Sequence, residues 1–148
     1  MAFRLSPGAR NAILDVGWNG TSATTGVFDG GTARINVYTG AQPAAATDAA
    51  SGTLLGTLTP SSDAFAAAAN NAVAMNAVSS DTSADANGTA GYVRFYRTGD
   101  TAPGSASVNG TDRRIDLLIG TDIAMDVVNV ITGGVIALSG WSVNQPTG

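Results

Sequence analysis

Asp112/Asp116 and Asp122/Asp126 are the pairs in this sequence whose type and spacing come nearest to catalytic chemistry. Each pair has one parity, so on an extended strand its two carboxylates share a face. Two carboxylates about 5–9 Å apart are the geometry of glycoside hydrolysis. The pattern is not specific. Same-parity acids arise freely in an acidic β-rich chain, and Arg113 and Arg114 stand beside the first pair as surface partners of little individual worth. Solvated carboxylates are the expectation.

A further acidic stretch, Asp81-Thr-Ser-Ala-Asp85-Ala-Asn87-Gly88, spaces oxygen ligands at alternate residues, as calcium loops do. An EF-hand loop counted from Asp81 needs Gly at the sixth place and a bidentate acid at the twelfth, where this chain has Ala86 and Tyr92. A polar turn is expected there, and no metal ligand is assigned. Asn19-Gly20-Thr21, Asn87-Gly88-Thr89 and Asn109-Gly110-Thr111 match the glycosylation acceptor pattern. Asn-Gly is also the preferred type I′ turn pair, because both residues accept positive φ, and these three sites read as tight corners. Tyr92, Tyr96 and Trp141 have the side chains of a sugar-stacking or partner-binding platform, combining apolar area with a polar edge. Trp141 shares parity with Val135, Ala137 and Val143, which favours the core; Tyr92 and Tyr96 stand as candidate surface-binding aromatics.

What is missing limits the chemistry more than what is present. The 148 residues include no Cys, His, Lys or Glu, so every base is one of 7 Arg and every acid one of 11 Asp. That removes thiolate nucleophiles, Cys-type metal sites and Ser-His-Asp triads. It also removes Schiff bases, the phosphate-binding lysine of P-loops and neutral-pH imidazole switches. Asp alone needs strong burial before its pKa approaches 7. The chain is expected not to be an enzyme, with no catalytic residue, no metal and no cofactor. A net charge of −4 and a pI near 4.3 argue against a nucleic-acid partner, which selects a basic face. No apolar run is long enough for a membrane helix, and the opening Met-Ala-Phe-Arg-Leu-Ser-Pro-Gly lacks the apolar core of a signal peptide. Synthesis in a cytosol is expected.

The elements that must position these residues are mostly strands. Residues 4–17 hold the best helix signal: Ser6 as N-cap, Pro7 at the first helical position, Ala9, Ile13 and Val16 at helical spacing, and Gly17 as exit. About ten residues make a marginal helix without packing, so it should dock through Phe3, Leu5, Ile13, Leu14 and Trp18. Period-two patterning predicts strands over 33–38, 53–59, 72–78, 90–97, 115–119, 123–131 and 135–143. Ile35 and Val37 point inward and Arg34, Asn36 and Tyr38 outward; over 90–97, Val93 and Phe95 share one face and Tyr92, Arg94 and Tyr96 the other. A single domain, 1–148, is expected: an N-terminal helix and arm over 1–30, then an all-β, antiparallel, jelly-roll-like β-sandwich over 31–148.

Residues 34–58, RINVYTGAQPAAATDAASGTLLGTL, have a particular cast. An R-I-x-x-Y-T-G-x-Q-P segment leads into an A-x-G-T-L-L-x-x-L strand. Further on come DTSADANGTA over 81–90 and VRFY over 93–96, and near the start LSPGARNAIL over 5–14. In these features the chain resembles small virion-associated proteins of tailed bacteriophages and prophages. The resemblance implies a structural protein of the virion, made in the bacterial host cytoplasm. The expected role is a head decoration or cement protein on the capsid exterior, with the major capsid protein or another virion protein as partner. A homo-oligomer, with a trimer favoured, is expected, and Phe3, Leu5, Ile13, Leu14 and Trp18 would form the anchoring arm. The alternative is a tail, neck or baseplate protein that binds receptor glycan through Tyr92 and Tyr96. Neither reading involves a membrane.

Overall fold

The computed structural model describes residues 31–107 and 112–144, with 6, 9, 20, 21, 24, 25 and 28 before them. Among these the chain is all-β and every strand pairing is antiparallel. Two two-residue strands, β1 (Gly20–Thr21) and β2 (Thr24–Thr25), pair with each other. The central sheet is built on β3 (Ala33–Thr39), β4 (Leu54–Pro60), β6 (Val78–Ser79) and β7 (Gly88–Arg97). Also in it are β8 (Arg114–Leu118) and β10 (Asn129–Val130), and its order is β10-β7-β3-β4-β6 with β8 also on β7. Two smaller ladders join β9 (Ala124–Met125) to β11 (Leu138–Gly140), and β5 (Ala72–Ala74) to β12 (Ser142–Asn144).

β7 is the organiser. It pairs with β3 from Ala33↔Arg97 to Thr39↔Ala90, with β8 over Tyr92–Tyr96, and with β10 at Gly88 and Thr89. Registration puts Ile35 and Ile115 opposite Phe95, and Val37 and Leu117 opposite Val93, so one face of three strands is a continuous apolar surface. Phe28, Phe65 and Trp141 close on it: their rings lie 6.1, 6.4 and 5.4 Å from that of Phe95. Val73, Ile123, Val130 and Ile136 complete this core.

The strands expected over 33–38, 53–59, 90–97 and 115–119 are present within a residue or two. Three others are broken because the chain changes partner inside them. Residues 72–78 divide between β12 and β4; 123–131 divide between β11 and β7. Within 135–143, Ile136 bridges Asp81, β11 joins β9, Gly140 turns at φ 124, and β12 joins β5. Asn87-Gly88 is not a type I′ turn: Gly88 opens β7 and the Asn87 side-chain oxygen accepts the Thr132 N–H at 2.7 Å. The left-handed pair is Asn70-Asn71 (φ 51 and 62), the two central residues of a hairpin closed by reciprocal Ala69 and Ala72 backbone bonds. At the N-terminus the Ala9 N–H donates to Ser6 Oγ at 3.2 Å, the bond an N-cap makes. The remainder of the expected 4–17 helix lies outside the described residues.

Gly91 lies against the next layer of backbone: a Cβ there would overlap the Gly40 carbonyl. Gly91→Ala is expected to cost about 1–3 kcal/mol through forced backbone displacement. Gly104→Ala, where a Cβ meets open space, should stay within about 0.5 kcal/mol. Urea denaturation of both variants checks this, and equal stabilities would refute the close-approach argument.

Candidate functional site

The face expected to be open is sealed. Asn36 and Tyr38, read as outward-pointing, are buried, and so are Tyr92 and Arg94 on the face opposite Val93 and Phe95. Alternation along a strand assigns side chains to two faces; here loops 40–52 and 98–107 cover the second. Their junction is visible where the Ser107 N–H donates to the Thr47 carbonyl at 2.7 Å.

Arg94 lies beneath those loops with no exposed surface. Its Nε and Nη2 donate to the two Asp116 oxygens at 2.7 and 2.8 Å, and its Nη1 to the Asp48 and Pro103 carbonyls at 2.9 and 2.8 Å. Asp116 is directly opposite on β8, and its side chain is 5% exposed. Across β3 the row continues: Asn36 faces Arg94, and Thr57 Oγ1 donates to Asn36 Oδ1 at 2.9 Å. Burial alone would lower the Arg94 pKa. The hydrogen bonds and charge of Asp116 outweigh it, so the net direction is upward and the group stays charged.

Tyr92, a candidate surface aromatic, is completely buried. Its ring stacks on Tyr38 with centroids 5.2 Å apart, and its hydroxyl donates to the Ser51 carbonyl at 2.9 Å and accepts the Ser51 N–H at 3.0 Å. It cannot stack on a ligand without removing the 40–52 loop. Tyr96 is half-buried, between Arg34 on β3 and Arg114 on β8. The two tyrosines therefore do not form an open platform. Burial raises the pKa of both, partly offset at Tyr92 by the Ser51 bonds and at Tyr96 by Arg34. Trp141 is half-buried against Phe65 and Phe95, in agreement with its core assignment.

The aspartate pairs are divided among structural tasks. Asp112 accepts the Thr101 N–H at 3.2 Å, while Asp116 belongs to Arg94. Asp122 accepts the Leu118 N–H at 2.9 Å, and Asp126 accepts the Ser139 hydroxyl. In the calcium-like stretch, Asp81 accepts the Thr57 N–H at 3.0 Å and the Ser83 N–H at 2.9 Å, an Asx turn. Among the described residues, no three His, Cys, Asp or Glu side chains are grouped to hold a metal ion. No helix there is long and apolar enough to cross a membrane. Phe3, Leu5, Ile13, Leu14 and Trp18 lie outside the described residues.

A surface feature that sequence reading missed lies over 127–135. Val127, Val128, Ile131 and Val135 are 54, 40, 72 and 59% exposed, and they flank the short edge strand β10. The signal was present: from Val127 to Gly148 the sequence has no charged side chain. Edge strands are ordinarily protected by charge or Pro, and this one has neither. Compared with protein-family models, curated proteins and solved structures, the chain finds no match in any of the three.

Breaking the buried pair from one side is expected to be severe. Arg94→Met leaves Asp116 buried without its partner and should cost about 3–5 kcal/mol in denaturant unfolding. A loss under about 1 kcal/mol, the value of a surface pair, would show the pair to be incidental. Stability should also fall at both ends of the pH scale. The hydrogen bond from Thr101, with the Ser107 hydroxyl and the Arg114 charge nearby, holds Asp112 below the usual carboxylate range. Its contribution is therefore present above about pH 4 and lost as pH falls through the depressed value. The raised Tyr92 and Tyr96 contributions are present below about pH 10 and lost as pH rises through the elevated values. Tyrosinate absorbance from Tyr92 and Tyr96 should rise together with alkaline unfolding; their early, non-cooperative ionisation would contradict the burial.

Proposed function

We propose that this chain is a non-enzymatic structural protein of a tailed-phage virion, acting as a head decoration or cement protein on the capsid exterior. The observation that carries the reading beyond sequence resemblance is the uncharged, apolar surface around β10. Exposed aliphatic side chains gathered along one uncharged stretch of chain favour a contact site there. It sits on a domain in which Asp81, Asp112, Asp116, Asp122 and Asp126 and the buried Tyr92 make contacts that hold the fold. The antiparallel architecture is completed as a jelly-roll-like sandwich, assembled as a trimer, with Phe3, Leu5, Ile13, Leu14 and Trp18 as a second anchor.

The mechanism is adhesion by area. Burying aliphatic surface contributes about 25 cal/mol per Å², and contacts repeated over a shell raise the force needed to burst it without covalent links. A net charge of −4 disfavours adhesion to packaged DNA. Quantitative mass spectrometry of virions should find this chain in simple ratio to the major capsid protein. A few copies per particle would assign it to the tail or neck, and absence would end the proposal. Ile131→Asp with Val135→Asp should leave stability within about 1 kcal/mol, both sites being exposed, yet abolish binding to capsids lacking the protein. Retained binding would remove β10 as the contact.

A further inference from the structure

β8 pairs with β7 and with no other described strand, so its far side is an edge of the central sheet. The Ile119 N–H donates to the Gly91 carbonyl at 3.1 Å, and this sets the phase of the ladder. Ile115 and Leu117 turn their N–H and C=O groups toward β7, while Arg114, Asp116 and Leu118 turn theirs outward. Leu118 is satisfied locally. Its N–H donates to the Asp122 carboxylate at 2.9 Å, and its carbonyl accepts the Asp122 and Ile123 N–H groups at 2.9 and 3.2 Å. The outward main-chain groups of Arg114 and Asp116 are bonded to no described residue.

What solvent reaches here is bare backbone. The Arg114 and Asp116 side chains are 2 and 5% exposed, yet both residues taken whole are half-buried, so the exposed part is main chain. Charges that would guard an edge by projecting from it are instead held by Asp112 and the 98–107 loop, and by Arg94. We propose that this edge pairs with β8 of a second copy of the chain, antiparallel, about a two-fold axis through Ile115. The inference does not rest on the virion reading. It also uses a part of β7's flank separate from β10, which pairs at Gly88 and Thr89.

Charge selects the register. With the axis at Ile115, Arg114 of each copy lies opposite Asp116 of the other. Both are residues with outward N–H and C=O groups, so each pair exchanges two main-chain hydrogen bonds, with opposite charges across it. An axis at Arg114 or at Asp116 also matches outward groups but sets like charges directly opposite, which is destabilising. Asp112, Arg113, Arg114 and Asp116 together are neutral, so two copies of net charge −4 meet here without local repulsion. Ile115 faces Ile115 of the second copy, and the apolar face of β3, β7 and β8 continues into its counterpart. Such a contact is isologous and closes on itself. A trimer uses a head-to-tail contact elsewhere on the surface, and the β8 axis then joins one trimer to the next.

The test exploits a chain without cysteine. A non-hydrogen-bonded antiparallel pair has Cα atoms about 4.5 Å apart, within disulfide range. Ile115→Cys in the full chain, mildly oxidised, should give a linked dimer on a non-reducing gel. Thr82→Cys, exposed on the turn beside β4, should stay monomeric. In the wild-type chain sedimentation should show association in twos. Exchange of the Arg114 and Asp116 amide protons should slow about tenfold or more from dilute to concentrated protein. The Ile115 and Leu117 amides, held by β7, should be slow throughout. Ile115→Asp, which opposes like charges at the axis, should abolish the dimer while circular dichroism reports an intact fold. The wild-type exchange measurement decides the matter should that variant unfold. Edge amides that stay fast at protein concentrations on the order of 1 mM overturn the proposal. So does Ile115→Cys cross-linking no faster than Thr82→Cys, and so does protection that appears only when capsids lacking the protein are added.

Discussion

A guanidinium that cannot lose its proton, set where no water reaches it, is the constraint around which this domain is arranged. Desolvating such a charge costs several kcal/mol, and attraction to one carboxylate does not guarantee repayment. Four of the five Arg94 N–H donors are nevertheless occupied, two by Asp116 and two by backbone carbonyls from separate loops. The pair therefore acts less as a source of net stability than as a condition on structure. A one-residue slip of β8 against β7 would carry Asp116 to the Val93/Phe95 face and leave a bare charge under the loops. Register, and the course of the 40–52 and 98–107 loops, follow from that penalty.

The composition makes physical sense in this setting. For a loop to deliver its own carbonyl to a buried guanidinium, its backbone must approach the sheet closely. The Ala- and Gly-rich segments around Gly40, Asp48 and Pro103 have little side-chain bulk to prevent it. Gly91 extends the principle to the point of contact, since backbone meets backbone there. Burying polar rather than apolar loops over the second face requires that their hydrogen bonds be met, and Arg94, Arg114 and Tyr92 meet them: Arg114 donates to the Ser105 and Thr101 carbonyls at 2.7 and 2.9 Å, Tyr92 to Ser51.

How much of this was legible follows from what period-two alternation encodes. It separates Ile35/Val37 from Asn36/Tyr38 and Val93/Phe95 from Tyr92/Arg94, and those divisions are the ones the sheet makes. It does not say whether the second face is wet. Tyr92 was assigned to an open surface because nothing local in 40–52 announces that this loop folds back onto it; the Ser51 contact spans 41 residues of sequence. Broken strands were illegible for a related reason. The segment 135–143 is uniformly strand-like, yet it serves three partners in turn, and partner choice is a long-range property. The left-handed turn fell on Asn70-Asn71 rather than on Asn87-Gly88, because Gly88 is needed in β7 opposite Val130.

Charge is distributed along the chain as unevenly as bulk. All eleven acids and all seven arginines precede Val127, so the net charge of −4 belongs wholly to the earlier part. Two acidic bodies approaching through charged surfaces repel one another; approaching through the segment around β10, they meet aliphatic side chains and uncharged backbone instead. Screening near physiological salt confines the remaining repulsion to roughly 8 Å, so distant carboxylates contribute little once an uncharged face is in contact. The same argument applies to a different acidic partner. An apolar edge that would be a hazard on a free monomer is tolerable when it is destined to be covered, and the absence of any charge or proline to guard β10 is consistent with a surface shaped by its contact.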